Sequence, residues 1–225
     1  DPPFSVGESD TWVIKTVHSG LIDNKTGNEW DWELLLAESI EQTDETTVTF
    51  KLREGLQWSN GYGEVTAEDV KYSYERYRDE DLAAPNAVSW APLDHVEVTG
   101  DLTGTIVLNK PFAPFFMVTL CHGPGAIVCE QAVKDAGGKF TIDFPAVCGP
   151  YTYSATPGQR VGFELNPEWT GPAPGFERVE AHVITEVKAS ELAFDAGEMD
   201  CTELSPDTLA RYAKNMPENA GITTA

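Results

Sequence analysis

An α/β fold is predicted by three neighbouring observations between Leu35 and Tyr77. Val48, Phe50 and Leu52 alternate with Thr47, Thr49 and Lys51, the period of two that buries one face of a strand. Asn60-Gly61 follows Trp58 and Ser59, and both residue types accept positive φ, so the chain reverses there. Thr66 precedes Ala67, Glu68 and Asp69, giving a hydroxyl to cap free N–H groups and two carboxylates in the positive first turn of a helix. Val70, Tyr74 and Tyr77 recur at one-turn spacing, which predicts a helix to about Arg78 with these three facing inward.

In chain order, Asp1 to Glu8 reads as an extended, proline-containing segment in which Gly7 permits close approach of another backbone or a ligand. Ser9 to Leu21 suits a helix capped by Ser9 or Asp10, with Val13, Val17 and Leu21 on one face. His18 on that helix reads as a surface or partly packed residue rather than a metal ligand. Asn24-Lys25-Thr26 matches a glycosylation sequon, a pattern short enough to occur by chance. Glu80 to Pro92 is a polar loop, and Val96 and Val98 pair with Thr105 to Leu108 around a turn at Gly100 to Gly104. Lys110 to Phe116 begins a short helix whose aromatics read as core. Ala126 to Val128 is a short strand, and Glu130 to Ala136 a helix ended by Gly137-Gly138. Tyr151 to Ser154 and Val161 to Leu165 form a hairpin across Pro157-Gly158. Val179 to Ile184 is a strand, Lys188 to Ala196 a helix closed by Gly197, and Met199 to Leu204 returns to the sheet. Ser205-Pro206-Asp207 opens a last helix to about Asn215.

The 225 residues include 15 basic and 37 acidic ones, a net charge of −22, which argues against nucleic-acid and anionic-membrane partners because both would repel the chain. Such acidity is usual for a secreted or salt-exposed protein. The longest apolar run, Phe112 to Leu120, is interrupted by Pro114 and falls short of the ~20 residues of a membrane helix. The chain opens on Asp1-Pro2-Pro3 without a basic and then apolar leader, so an exported protein would carry this numbering in a processed or trimmed form.

No two of Cys121, Cys129, Cys148 and Cys201 lie at C-x-x-C spacing, which speaks against a zinc site or redox pair. An oxidising compartment favours one disulfide among the first three; Cys121 with Cys148 is the expected pair. The histidines at 18, 95, 122 and 182 show no ligand spacing, and no Walker, dinucleotide or G-x-S-x-G motif is present. No nucleophile or acid–base pair can be assembled, so the chain reads as a non-enzyme without cofactor. A hydrolase, or a stand-alone interaction module ending near Ala225, is the alternative of another class.

The wording of the organising stretch is more specific than its elements. LAES, then TFKLREGLQWSNG and VTAEDVKYSYER, resembles the signature of the family 5 solute-binding proteins of ABC importers, which carry peptides, nickel and some oligosaccharides. KPFAPFFMVTL, GPGAIVCEQAVKDAG, GPYTYSATPGQRVGFELNPEW and ELAFDAGEMDCTEL follow in the family's order. The resemblance therefore covers nearly the whole chain.

It implies a periplasmic-binding-protein-like lobe with a mixed sheet flanked by helices and a small inserted α+β subdomain. Residues 1–31 would begin lobe I, 32–120 form the insertion, and 121–225 continue lobe I toward a hinge crossing to a second lobe outside this chain. Members are about twice this length, so the chain is expected to be an N-terminal fragment. The resemblance places Val6, Gly7 and Glu8 along the ligand cleft and points to Asn86 as a ligand contact, with Trp90 nearby as an apolar wall. Cys201 falls where the family has an apolar residue and is expected to be buried. The implied role is capture of oligopeptides or dipeptides between two lobes by a periplasmic or cell-surface monomer, for delivery to a membrane permease. Nickel or an oligosaccharide is the alternative solute.

Overall fold

The computed structural model describes residues 1–5, 7–25, 27, 30–216 and 220–222. Two compact units divide them: 1–155 with 162–180, and 156–161 with 181–225.

The first unit opens with α1 (Glu8–Val17) and the two-stranded ladder of β1 (Ile22–Asn24) and β2 (Trp32–Leu34). The strands β3 (Ala37–Asp44) and β4 (Thr47–Leu52), and after α2 (Ala67–Glu75) the strands β5 (Leu93–Gly100) and β6 (Thr103–Leu108), make an antiparallel sheet in the order β3-β4-β6-β5. The alternation in β4 does what it predicts, because Val48, Phe50 and Leu52 are buried while the residues between them are half-buried. Phe50 faces Gly104 across the ladder, and a Cβ there would stand 2.6 Å from the Phe50 ring, so only glycine lets the ring lie flat.

Helix α2 is fastened to β5 by two charged side chains. Lys71 Nζ donates to Glu75 Oε1 (2.8 Å) and the Val96 carbonyl (2.7 Å), and Glu75 Oε1 also accepts from the Val96 N–H (2.9 Å). Val70, Tyr74 and Tyr77 are all buried. At the start of α2, Thr66 and Asp69 form a reciprocal capping box. Asp69 accepts, besides, from Trp58 Nε1 (3.1 Å) and from the Glu130 N–H (3.1 Å) at the start of α3 (Glu130–Asp135). One buried carboxylate thereby ties two helix starts and a tryptophan together. The Asn60-Gly61 reversal has positive φ at both residues (58° and 76°), and Ser59 exchanges hydrogen bonds with Val147 in both directions.

Strands β7 (Tyr151–Thr156), β8 (Arg160–Leu165) and β9 (Arg178–His182) follow in the order β7-β8-β9. The second unit carries α4 (Val187–Asp195) and α5 (Pro206–Lys214). Ser205 caps α5 by accepting from the Thr208 N–H. The Ser205 hydroxyl and N–H reach Glu191 and hold its carboxyl down at about 2. Tyr212 and Arg211 both donate to Asp195, joining α5 to α4.

Several expectations require correction. Helix α1 begins at Glu8 and ends at Val17, not Leu21; His18 turns extended (ψ 150°) and the Gly149 N–H takes the Val17 carbonyl at 2.8 Å, capping the helix from outside. Ala126 to Val128 is not a strand. It is held by one bridge to Gly20, by the Ser19 carbonyl and by the Ser73 hydroxyl. Met199 to Leu204 is irregular and Cys201 is exposed. Cys121 and Cys148 are free thiols in different surroundings, the first beside Lys15 and Asp23, the second against the Ile127 carbonyl (4.0 Å); burial pushes them up to about 11 and about 12. Thr26 of the sequon lies outside the described residues.

His18 is 1% exposed rather than partly packed, stacked on Phe140 (centroids 6.1 Å) and edge-on to Phe144 (5.2 Å). Burial lowers its pKa to about 3, so the fold holds it neutral. The unfolded chain takes a proton near the ordinary value of about 6.5. Stability from this residue is therefore complete above about pH 6.5 and is lost as pH falls toward 3, by about 2–3 kcal/mol at about pH 4.5. His18→Leu is expected to remove that slope, read as the wild-type unfolding free energy falling relative to the variant's on acidification. A ring that titrates near 6.5 by NMR in the folded protein would exclude this.

Candidate ligand-binding cleft

Three short segments of the first unit converge on one open cleft. The 3-10 turn Pro2–Phe4 delivers Ser5, and Gly7, extended at φ −129°, stands at the N-cap of α1. Thr11 and Trp12 follow on the helix. The loop after α2 brings Pro85 and Asn86 alongside, because the Asn86 N–H donates to the Pro3 carbonyl at 3.2 Å. Asn86 Oδ1 accepts from Ser89 Oγ at 2.7 Å, which orients the amide. The third side is Val118 of the helical turn Phe115–Leu120, with His122 and Pro124 beyond it. A Cβ on Gly123 would stand 3.3 Å from the Thr11 methyl, so glycine lets this turn close on α1. Together these residues border an open volume of about 720 Å³.

The lining combines hydroxyls and an amide with apolar surface from Trp12 and Val118, which are 47% and 48% exposed. Burial, and secondarily Lys15, lowers the pKa of His122, so it is neutral at neutral pH. Lys15 is itself held by Asp23 and the Cys121 carbonyl (3.0 Å). Such a wall can offer hydrogen bonds to amide-like groups and contact to an apolar one. Among the described residues no group of three His, Cys, Asp or Glu could hold a metal ion.

Gly7 and Asn86, both expected at a ligand, meet here. Val6 and the Glu8 side chain lie outside the described residues. Trp90 does not line the cleft. It is fully buried, stacked on Tyr74 (4.1 Å), edge-on to Phe115 (5.6 Å), and donates from Nε1 to the Pro124 carbonyl at 2.9 Å. It backs the wall from the core. Reading from sequence missed Ser5, Thr11, Trp12, Val118, His122 and Pro124. Trp12 had a signal, since it falls off the stripe of Val13, Val17 and Leu21, a large aromatic on the polar side of its helix.

Residues 31–224 match the family described as "Bacterial extracellular solute-binding proteins, family 5 Middle". The chain is 30% identical to Protein XP55 of Streptomyces lividans over 212 residues, 89% of this chain and 37% of that protein. It is 29% identical to the periplasmic oligopeptide-binding protein OppA of Salmonella typhimurium, covering 83% and 38%. Its backbone superposes with TM-score 0.85 on MoaA of A. tumefaciens R10 in complex with mannopinic acid, at 28% identity, covering 96% of this chain and 44% of that one. The chain spans about two fifths of the length of these relatives. It belongs to the family 5 bacterial extracellular solute-binding proteins.

Proposed function

We propose that the chain is part of the substrate-binding component of an ABC importer, and that the complete protein captures oligopeptides or dipeptides. The observation that carries this is the meeting of Gly7 and Asn86 on one open cleft in a chain of this family. Likeness to an oligopeptide-binding protein supports peptide as the solute. Hydroxyls and an amide suit main-chain hydrogen bonding that does not read side chains.

In this reading 1–31 and 121–225 belong to lobe I and 32–120 is the inserted subdomain carrying the sheet β3-β4-β6-β5. Sequence outside these residues supplies a second lobe, and hinge closure traps the solute. The protein works outside the cytoplasm as a monomer, without cofactor or chemical step, and hands its solute to a membrane permease. Among the described residues no helix is long and apolar enough to cross a membrane. Likeness to MoaA favours a second reading, a smaller solute of the opine kind.

Thermal shift on the complete gene product decides between solutes. Di- to pentapeptides, an opine, nickel and oligosaccharides are compared; a ligand at a hundred times its dissociation constant stabilises by about 2.7 kcal/mol, a shift of several degrees. Peptides are expected to give it. A shift with the opine, nickel or an oligosaccharide but no peptide would replace the solute.

A further inference from the structure

Next to the cleft, sharing His122 with it, lies a second, smaller and partly open cavity of about 20 Å³. His18 and Ser19 line it, and they are 1% and 2% exposed. Neither ring nitrogen of His18 nor the Ser19 hydroxyl has a hydrogen-bond partner in the protein. Three orphan polar atoms at this depth are rare, and each left dry is costly. A polar cavity accommodates one water once about 10–15 Å³ is open to it, and two would need more than is present.

We propose that this cavity holds one resident water, hydrogen-bonded to a ring nitrogen of His18 and to the Ser19 hydroxyl. The chemistry fits. A neutral imidazole presents one donor and one acceptor, a hydroxyl presents both, and water alone among small species complements either without charge. The Lys15–Asp23 ion pair lines the same cavity and offers further polar atoms. His122 lines both this cavity and the cleft. The water gives a partner to one ring nitrogen of a residue otherwise packed between Phe140 and Phe144.

The test is water-to-protein Overhauser and rotating-frame spectroscopy on the isotope-labelled chain. Cross-peaks from water to the His18 ring protons and the Ser19 amide are expected, with the sign of a water bound longer than the protein tumbles. His18→Leu should abolish the Ser19 peak. Ser19→Ala, which removes the other partner, should weaken the His18 peak. Absence of these peaks in the folded wild-type chain, or a His18 peak unchanged in Ser19→Ala, overturns the proposal.

Discussion

Replacing Arg76 by methionine is expected to lower the unfolding free energy by about 3–5 kcal/mol. The guanidinium grips Asp1 with both terminal nitrogens (2.9 and 3.0 Å) and donates to the Gly138 carbonyl (3.0 Å). The Asp1 carboxylate also accepts from the Phe140 N–H at 3.1 Å. The two side chains are 6% and 0% exposed, so removing the cation strands a desolvated anion. Three segments distant in sequence lose their common tie: the start of the chain, the turn after α2 and the loop after α3. The double variant Arg76→Met with Asp1→Asn should recover much of the loss, because the penalty lies in the orphaned charge more than in the pair. Denaturant titration of the single and double variants checks this. A single-variant cost below about 1 kcal/mol would match an exposed pair and contradict the burial.

Trp90→Ala is expected to cost about 3–5 kcal/mol as well, for a different reason. It empties the space between Tyr74 and Phe115 and leaves the Pro124 carbonyl without its donor. Trp90→Phe restores most of the ring and should cost less. The same variant tests the side chain's role: a ligand wall would lose affinity at unchanged stability, whereas a core residue loses stability first. Chemical denaturation with and without solute separates the two.

The parts of the fold that were legible in sequence are those set by local rules. The alternation of β4, the paired positive φ of Asn60 and Gly61, the Thr66–Asp69 box, the Ser205 cap and the glycines closing α3 and α4 each depend on residues within a few positions. The errors came where distant segments decide. Helix α1 stops because Gly149 takes the Val17 carbonyl, and no pattern in 9–21 announces it. His18 is buried because Phe140 and Phe144 close over it. Ala126 to Val128 looked like a strand because it is apolar and extended, yet a serine hydroxyl supplies part of its pairing. At the cleft, Gly7 and Asn86 were expected at a ligand from family resemblance, and the bond from Asn86 to Pro3 brings their segments together. Trp90 was misassigned because nearness in sequence to Asn86 does not say which side of the wall a ring occupies.

The proposed solute site lies against α1 and the Asn86 loop. Calorimetric titration of the complete gene product with its best peptide, for wild type and Trp12→Ala, tests it most directly. Trp12 is 47% exposed and touches Phe163 edge-on at 5.2 Å, so its truncation should change the melting temperature little. Affinity weaker by about tenfold or more is expected, the loss of roughly 1.4 kcal/mol or more from an aromatic contact. Unchanged affinity in a folded variant would contradict it and move the solute to another surface.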